Sequence, residues 1–191
     1  MTRLERLSQE ARACRICQAH LPLGPRPVFR VSTTARILIV GQAPGRLVHE
    51  TGIPWNDRSG ERLRDWLGLA CEDFYDRRRI AIVPMGFCFP GTDANGADRP
   101  PRPECAPRWQ ARFLALMPRI ELTLLVGRYA QLFYLGRGPS MTETVAAWRD
   151  HPQALLPLPH PSWRNTGWLR RNAWFERELV PVLRRRVAAL M

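Results

Sequence analysis

With 191 residues, 45% of them hydrophobic and 24% charged, the chain has material for one substantial domain with a buried core, which excludes wholesale disorder and a second ordinary domain. Its 29 basic side chains, all arginine, outnumber 17 acidic ones for a net charge of +12; a GC-rich coding sequence can account for the arginine preference, but so basic a chain also attracts polyanions, nucleic acid above all. No apolar run approaches the roughly 20 residues of a membrane span, and the opening Met1–Arg6 lacks the apolar centre of a signal peptide. A soluble, cytoplasmic monomer forming a single domain over residues 1–191 is the expectation.

The elements follow in chain order. A helix-like stretch leads into the pair Cys14-x2-Cys17. The β-branched run Ala35–Val40 reads as a buried strand and ends in the glycine-rich turn Gly41-Gln42-Ala43-Pro44-Gly45. Ser59 is the expected N-cap of a helix whose inner face carries Leu63, Trp66 and Leu67 and which Gly68 stops. Ile80–Val83 is a second buried strand, and a long Gly/Pro loop over 84–107 holds Cys88 and Cys105 before a helix with Trp109, Phe113, Leu116 and Met117 on one side. A third strand, Leu122–Val126, ends at Gly127, and helical stretches at Tyr129–Leu135 and Thr142–Trp148 follow. A short fourth strand, Ala154–Leu158, runs into Pro159-His160-Pro161-Ser162. The last helix starts near an Asn172 cap, turns Phe175, Leu179, Leu183, Val187 and Leu190 inward, and is kinked at Pro181.

Short apolar strands alternating with helices predict an α/β domain around a parallel sheet. Ligands of such sheets bind beyond the carboxyl ends of the strands, where the Gly41–Gly45 turn, the Pro84–Pro90 loop and the His160 loop all fall. The turn is neither a Walker loop nor a dinucleotide fingerprint; it is a tight turn or a place where backbone approaches a ligand. Trp55, in Gly52-Ile53-Pro54-Trp55-Asn56-Asp57-Arg58-Ser59-Gly60, either packs its own loop or presents an indole for stacking on a base.

A strand, Gly-Gln-Ala-Pro-Gly, Gly-x-Pro-aromatic, Ser-Gly with a helix, and a distant His160-Pro161-Ser162 together resemble the uracil-DNA glycosylase superfamily, most closely its family 4 enzymes. The resemblance runs from Cys14 to the C-terminal helix. It implies a three-layer α/β/α fold with a central four-stranded parallel sheet, and removal of uracil or another deaminated base from DNA by hydrolysis of the N-glycosidic bond. Gly41, Gln42 and Ala43 then line the base pocket, Trp55 stacks on the flipped base, and His160 stabilises the leaving group. Ser162, Trp163 and Arg164 meet the DNA, and Trp168 either fills the gap left by the base or packs beneath the last helix.

Two departures are evident. Gln42 stands where family 4 has Glu and Ala43 where family 1 has Asp, so neither motif carboxylate is present. Asp57, which resembles a family 5 carboxylate, is the candidate for water activation with Glu50 behind it; the other reading pairs Asp57 with Arg58 or Arg62. The loop after the second strand lacks the family's base-reading Asn, which leaves backbone groups from Met85 to Phe87 as readers. The resemblance also implies a [4Fe-4S] cluster on Cys14, Cys17, Cys88 and Cys105, with structural zinc or free thiols as alternatives, and leaves Cys71 as a buried thiol. With no lysine in the chain, a Schiff-base lyase is excluded and a monofunctional enzyme using water is expected. The alternative is a nucleic-acid-binding member of the fold without excision; a covalent crosslinker is disfavoured because residues 84–107 contain no histidine.

Overall fold

The computed structural model describes residues 1–136 and 140–191. Helix α1 (Arg3–Arg12) is set by a capping box in which Thr2 accepts from Glu5 N–H and Glu5 accepts from Thr2 N–H. Strands β1 (Ile37–Val40), β2 (Ile80–Ile82), β3 (Leu122–Val126) and β4 (Leu155–Leu158) form one all-parallel sheet in the order β2-β1-β3-β4. The strand order reverses between β1 and β3, the place where open α/β sheets present a crevice. Pro157 sits in β4, an edge strand, where its missing N–H breaks no inner ladder.

Side-chain alternation along the strands builds two cores. Ile37, Ile39, Ile82 and Leu124 face α3 (Arg58–Leu67) and α4 (Cys71–Phe74), with the C-terminal segments packed there as well. Leu38, Val40, Ala81 and Leu125 face α1, α5 (Cys105–Leu114) and α6 (Arg128–Leu135). Both sheet faces are covered, hence the near-continuous apolar strands that the sequence displays. The expected three-layer α/β/α architecture is therefore observed. Short helices α2 (Arg46–Thr51) and α7 (Met141–Ala146) complete the middle of the chain.

Several boundaries differ from expectation. Asp57, not Ser59, caps α3: its Oδ1 accepts Gly60 N–H at 2.8 Å, so the helix begins two residues earlier. The last helix begins close to the expected start, helical from Trp174 to Ala188, but it contains a π-helical turn and a separate short helix precedes Asn172. Helix α8 (Thr166–Arg171) ends there, Asn172 Nδ2 donating to Trp168 O at 2.9 Å. A π-turn at Phe175–Leu179 then leads into α9 (Val180–Ala188), which has Pro181 in its first turn, where a missing N–H is harmless. Cys71 is exposed rather than buried, because α4 turns only Phe74 inward. Trp168 is 9% exposed and packs against Phe175, the structural of its two readings. Among the described residues, no helix is long and apolar enough to cross a membrane.

Candidate active site

Beyond the carboxyl ends of the strands lies an open cavity with about 600 Å³ of empty space, part of it continuous with solvent. Gly41, Gln42 and Ala43 after β1, Trp55 and Asp57 before α3, Pro84 after β2, and His160 and Ser162 after β4 all line it. Residues 120 positions apart in sequence thus meet at one edge of the sheet. Among the described residues, Asp57 and Asp98 are the only charged side chains in the wall, and no arginine lines it.

The backbone of Trp55 is forced. Its φ of 58° is the one positive value at a non-glycine residue among those described, and such a conformation costs on the order of 1–3 kcal/mol. Neighbours hold it there: Tyr75 Oη donates to Pro54 O at 2.9 Å, and Arg64 Nη1 donates to Trp55 O at 3.2 Å. Glycine is required on both sides of it. A Cβ on Gly60 would fall 1.7 Å from Trp55 O, and one on Gly41 would fall 2.7 Å from Trp55 Cζ2. The indole therefore lies directly on the turn after β1, with its ring centre 5.6 Å from that of His160.

Asp57 forms no ion pair with Arg58 or Arg62. Arg62 instead reaches the loop after β4 and donates to Ser162 O at 3.1 Å, which ties α3 to the His160 segment. With Oδ1 engaged as the helix cap, Asp57 turns Oδ2 towards Gly45. A Cβ built on Gly45 would meet Asp98 Oδ2 at 3.4 Å and Asp57 Oδ2 at 4.0 Å. Asp98 is a site residue that sequence reading missed; the sole signal was the turn-forming Asp93-Ala94-Asn95-Gly96, which folds the loop back. Partial desolvation, then the neighbouring Asp57, hold the Asp98 carboxyl above its ordinary range, with Arg164 opposing. Glu50 stays outside, bonded to Arg46 at 3.0 Å.

His160 is recessed, and burial pushes its imidazole down to about 4, Asp57 acting weakly in the other direction. The ring is neutral at pH 7. Ser162 N–H donates to Nδ1 at 3.2 Å, so the single ring proton belongs on Nε2, as a neutral donor. Gly127, with φ of 86°, lets the end of β3 approach to where a Cβ would lie 3.3 Å from His160 Cβ. Asn165 Nδ2 donates to His160 O at 2.7 Å and fixes the loop from its far side.

The side chain of Gln42 is committed in part: its Nε2 donates to Arg99 O at 3.1 Å. Met85 and Phe87 lie outside the cavity wall, in the core between the sheet and α5. Their N–H groups are engaged within the chain, Met85 with Gly41 O at 2.9 Å and Phe87 with Cys105 Sγ at 3.3 Å, while Gly86 N–H donates to Gln42 O at 2.9 Å. The carbonyls of Val83 and Pro84 accept from buried Gln110 at 3.2 and 2.8 Å. This loop thus has little left with which to read a base.

A family profile described as the uracil DNA glycosylase superfamily matches residues 29–184. The chain belongs to that superfamily. In this member of the superfamily the Gly41–Gly45 turn, Trp55 and the His160 loop share one cavity without either motif carboxylate. Trp163 is exposed at 69% beside the cavity residue Ser162, with the Arg164 guanidinium 5.4 Å from its ring centre.

The four expected ligand cysteines also converge. Cys14, Cys17, Cys88 and Cys105 line a second, more apolar cavity of about 330 Å³ with Phe87, Arg102 and Trp109. Desolvation drives the Cys88 thiol up to about 11 and the Cys105 thiol to about 12. Backbone N–H groups of Phe87 and Arg26 face Cys105 and Cys88 and oppose that rise. Among the described residues, no three His, Cys, Asp or Glu side chains gather closely enough to hold a single metal ion.

Proposed function

We propose that this protein is a monofunctional DNA glycosylase that hydrolyses the N-glycosidic bond of uracil, or of another deaminated base, in DNA. The observation carrying the reading is the meeting of Trp55, Asp57 and neutral His160 with the glycine turn in one cavity. A base buried in a duplex must be extruded before its glycosidic bond is reached. The cavity receives the flipped base, the indole face stacks on it, and Ser162, Trp163 and Arg164 meet the backbone it leaves. As the bond lengthens, positive charge grows on the sugar and negative charge on the base oxygen. His160 Nε2–H meets the oxygen; a preorganised donor of this kind is worth about 10²- to 10³-fold in rate. Asp57 Oδ2 faces the sugar side, where it orients water and offsets the cation. Gln42, a neutral amide, positions but accepts no proton.

A [4Fe-4S] cluster on Cys14, Cys17, Cys88 and Cys105 belongs to the same proposal and makes it a family 4-like enzyme. An all-thiol donor set that does not close on one ion, with backbone N–H groups aimed at two of its sulfurs, suits a cluster better than tetrahedral zinc. When bound, the cluster supplies a structural clasp between the N-terminal segment and the loop after β2.

The test is incubation with uracil-, hypoxanthine- and xanthine-containing oligonucleotides, followed by alkali. Strand scission at the modified base is expected; binding to uracil-containing DNA with no abasic product would assign the chain to the non-catalytic alternative. Anaerobically purified protein should be brown and contain iron, whereas colourless protein with stoichiometric zinc would overturn the cluster.

A further inference from the structure

Asp98 belongs to none of the sequence motifs, yet it stands in the cavity wall. A small hairpin in the loop after β2 delivers it. Thr92 pairs with Asp98 across that hairpin, and Arg99 N–H donates to Gly91 O at 2.9 Å. Asp93 Oδ1 holds the tip, accepting from Asn95 and Ala97 N–H groups at 2.9 Å each. Gln42 docks the base of the hairpin onto the turn after β1 through its 3.1 Å bond to Arg99 O. Asp98 and Asp57 thereby bring their Oδ2 atoms to the same point beside Gly45, where no side chain comes between them. Asp57 has given one oxygen to Gly60 N–H at 2.8 Å. Among the described residues, no hydrogen bond engages the Asp98 carboxylate.

Resting on the glycosylase reading above, we infer that Asp98 is a second catalytic carboxylate, taking the proton of the attacking water while Asp57 holds that water against the sugar. The water oxygen bonds to C1′, and the C1′–N bond breaks with its electron pair leaving on the base. The water proton passes to Asp98, and the departing base anion is met by His160 Nε2–H. A proton acceptor needs free lone pairs and a pKa drawn towards the working pH. Asp98 has both, since desolvation and Asp57 raise it. The charged and titratable groups facing it are Asp57 before α3, Arg164 after β4, and His160, which is uncharged at neutrality.

The experiment is single-turnover excision of uracil from an oligonucleotide across about pH 4 to 9, so that the acid limb of the rate is recorded. Wild type, Asp98→Asn and Asp98→Glu are compared. Binding is read in parallel with an oligonucleotide carrying uncleavable 2′-fluorodeoxyuridine. Asp98→Asn should slow excision about a hundredfold or more, leave binding within about twofold, and move the acid limb of the rate profile to lower pH. Full rate in Asp98→Asn overturns the role. So does a slowed variant whose acid limb has not moved, since that marks a merely structural loss. Should Asp98→Asn fail to fold, the displaced acid limb of Asp98→Glu decides the matter in the same way. A wild type that excises none of the bases removes the glycosylase reading itself, a result distinct from an active enzyme indifferent to Asp98.

Discussion

The loop after β2 furnishes two cavities of opposite character. Gly86, Phe87 and Cys88 help close the thiol cavity, where burial drives thiol protons on. Ten residues further on, Asp98 reaches the open cavity of carboxylates, imidazole and indole. The first is built from side chains that avoid water, the second from side chains that need a reacting partner. One segment can serve both because the glycine-anchored hairpin at 91–99 separates them. Stability and chemistry in this chain are thus divided along a single loop, and they should fail separately.

Breaking the chemical side should have the largest effect. Asp57→Asn should lower single-turnover excision by about 10²- to 10³-fold without loss of thermal stability, because Asn keeps an oxygen for Gly60 N–H and caps helices as well as Asp. His160→Ala should cost about 10²- to 10³-fold. In the wild type, whose His160 titrates at about 4, the rate should show no histidine step near pH 6.5; loss of activity as pH rises through that value would mean that the charged ring is the active form. If both substitutions leave the rate intact, the site assignment is wrong.

On the structural side, Cys105→Ser should abolish iron binding and lower the thermal midpoint, by about 2–4 °C for each 1 kcal/mol lost in a domain of this size. The excision rate of the protein that remains folded should change little; a collapse of the rate at unchanged midpoint would place the cysteines in the chemistry. Gln42→Ala tests the junction between the two regions. Its bond to Arg99 O is worth about 0.5–1.5 kcal/mol, so a loss of up to about tenfold in rate is expected. Trp55→Phe should be nearly silent in rate, since Phe also offers a stacking face.

How far the sequence discloses all this differs between elements. The four strands are readable because Ile37–Val40 and Leu122–Val126 are buried on both faces and so carry unbroken apolar runs. Cys14, Cys17, Cys88 and Cys105 stand out in the sequence by type and spacing, and the fold brings them to one cavity. Asp98 is not, since its neighbours announce only a turn and its place depends on a hydrogen bond from Gln42, 56 residues away in sequence. Ser59 as a cap fails for a related reason: two polar residues compete, and the bond of Asp57 to Gly60 N–H decides between them. Asn172, with helix on one side and a π-turn on the other, reads equally well as a start or an end.

Among the described residues, the wall of the candidate active-site cavity contains two aspartates and no arginine. The chain as a whole carries a net charge of +12, which attracts polyanions over a range set by the ionic strength. Inside the cavity, the sign is reversed. On the glycosylase reading proposed above, the two aspartates would disfavour a phosphate in the cavity and leave it to an uncharged heterocycle. A free nucleotide, which carries its phosphate with it, should be a poor competitor for the polymer even when its base is the right one.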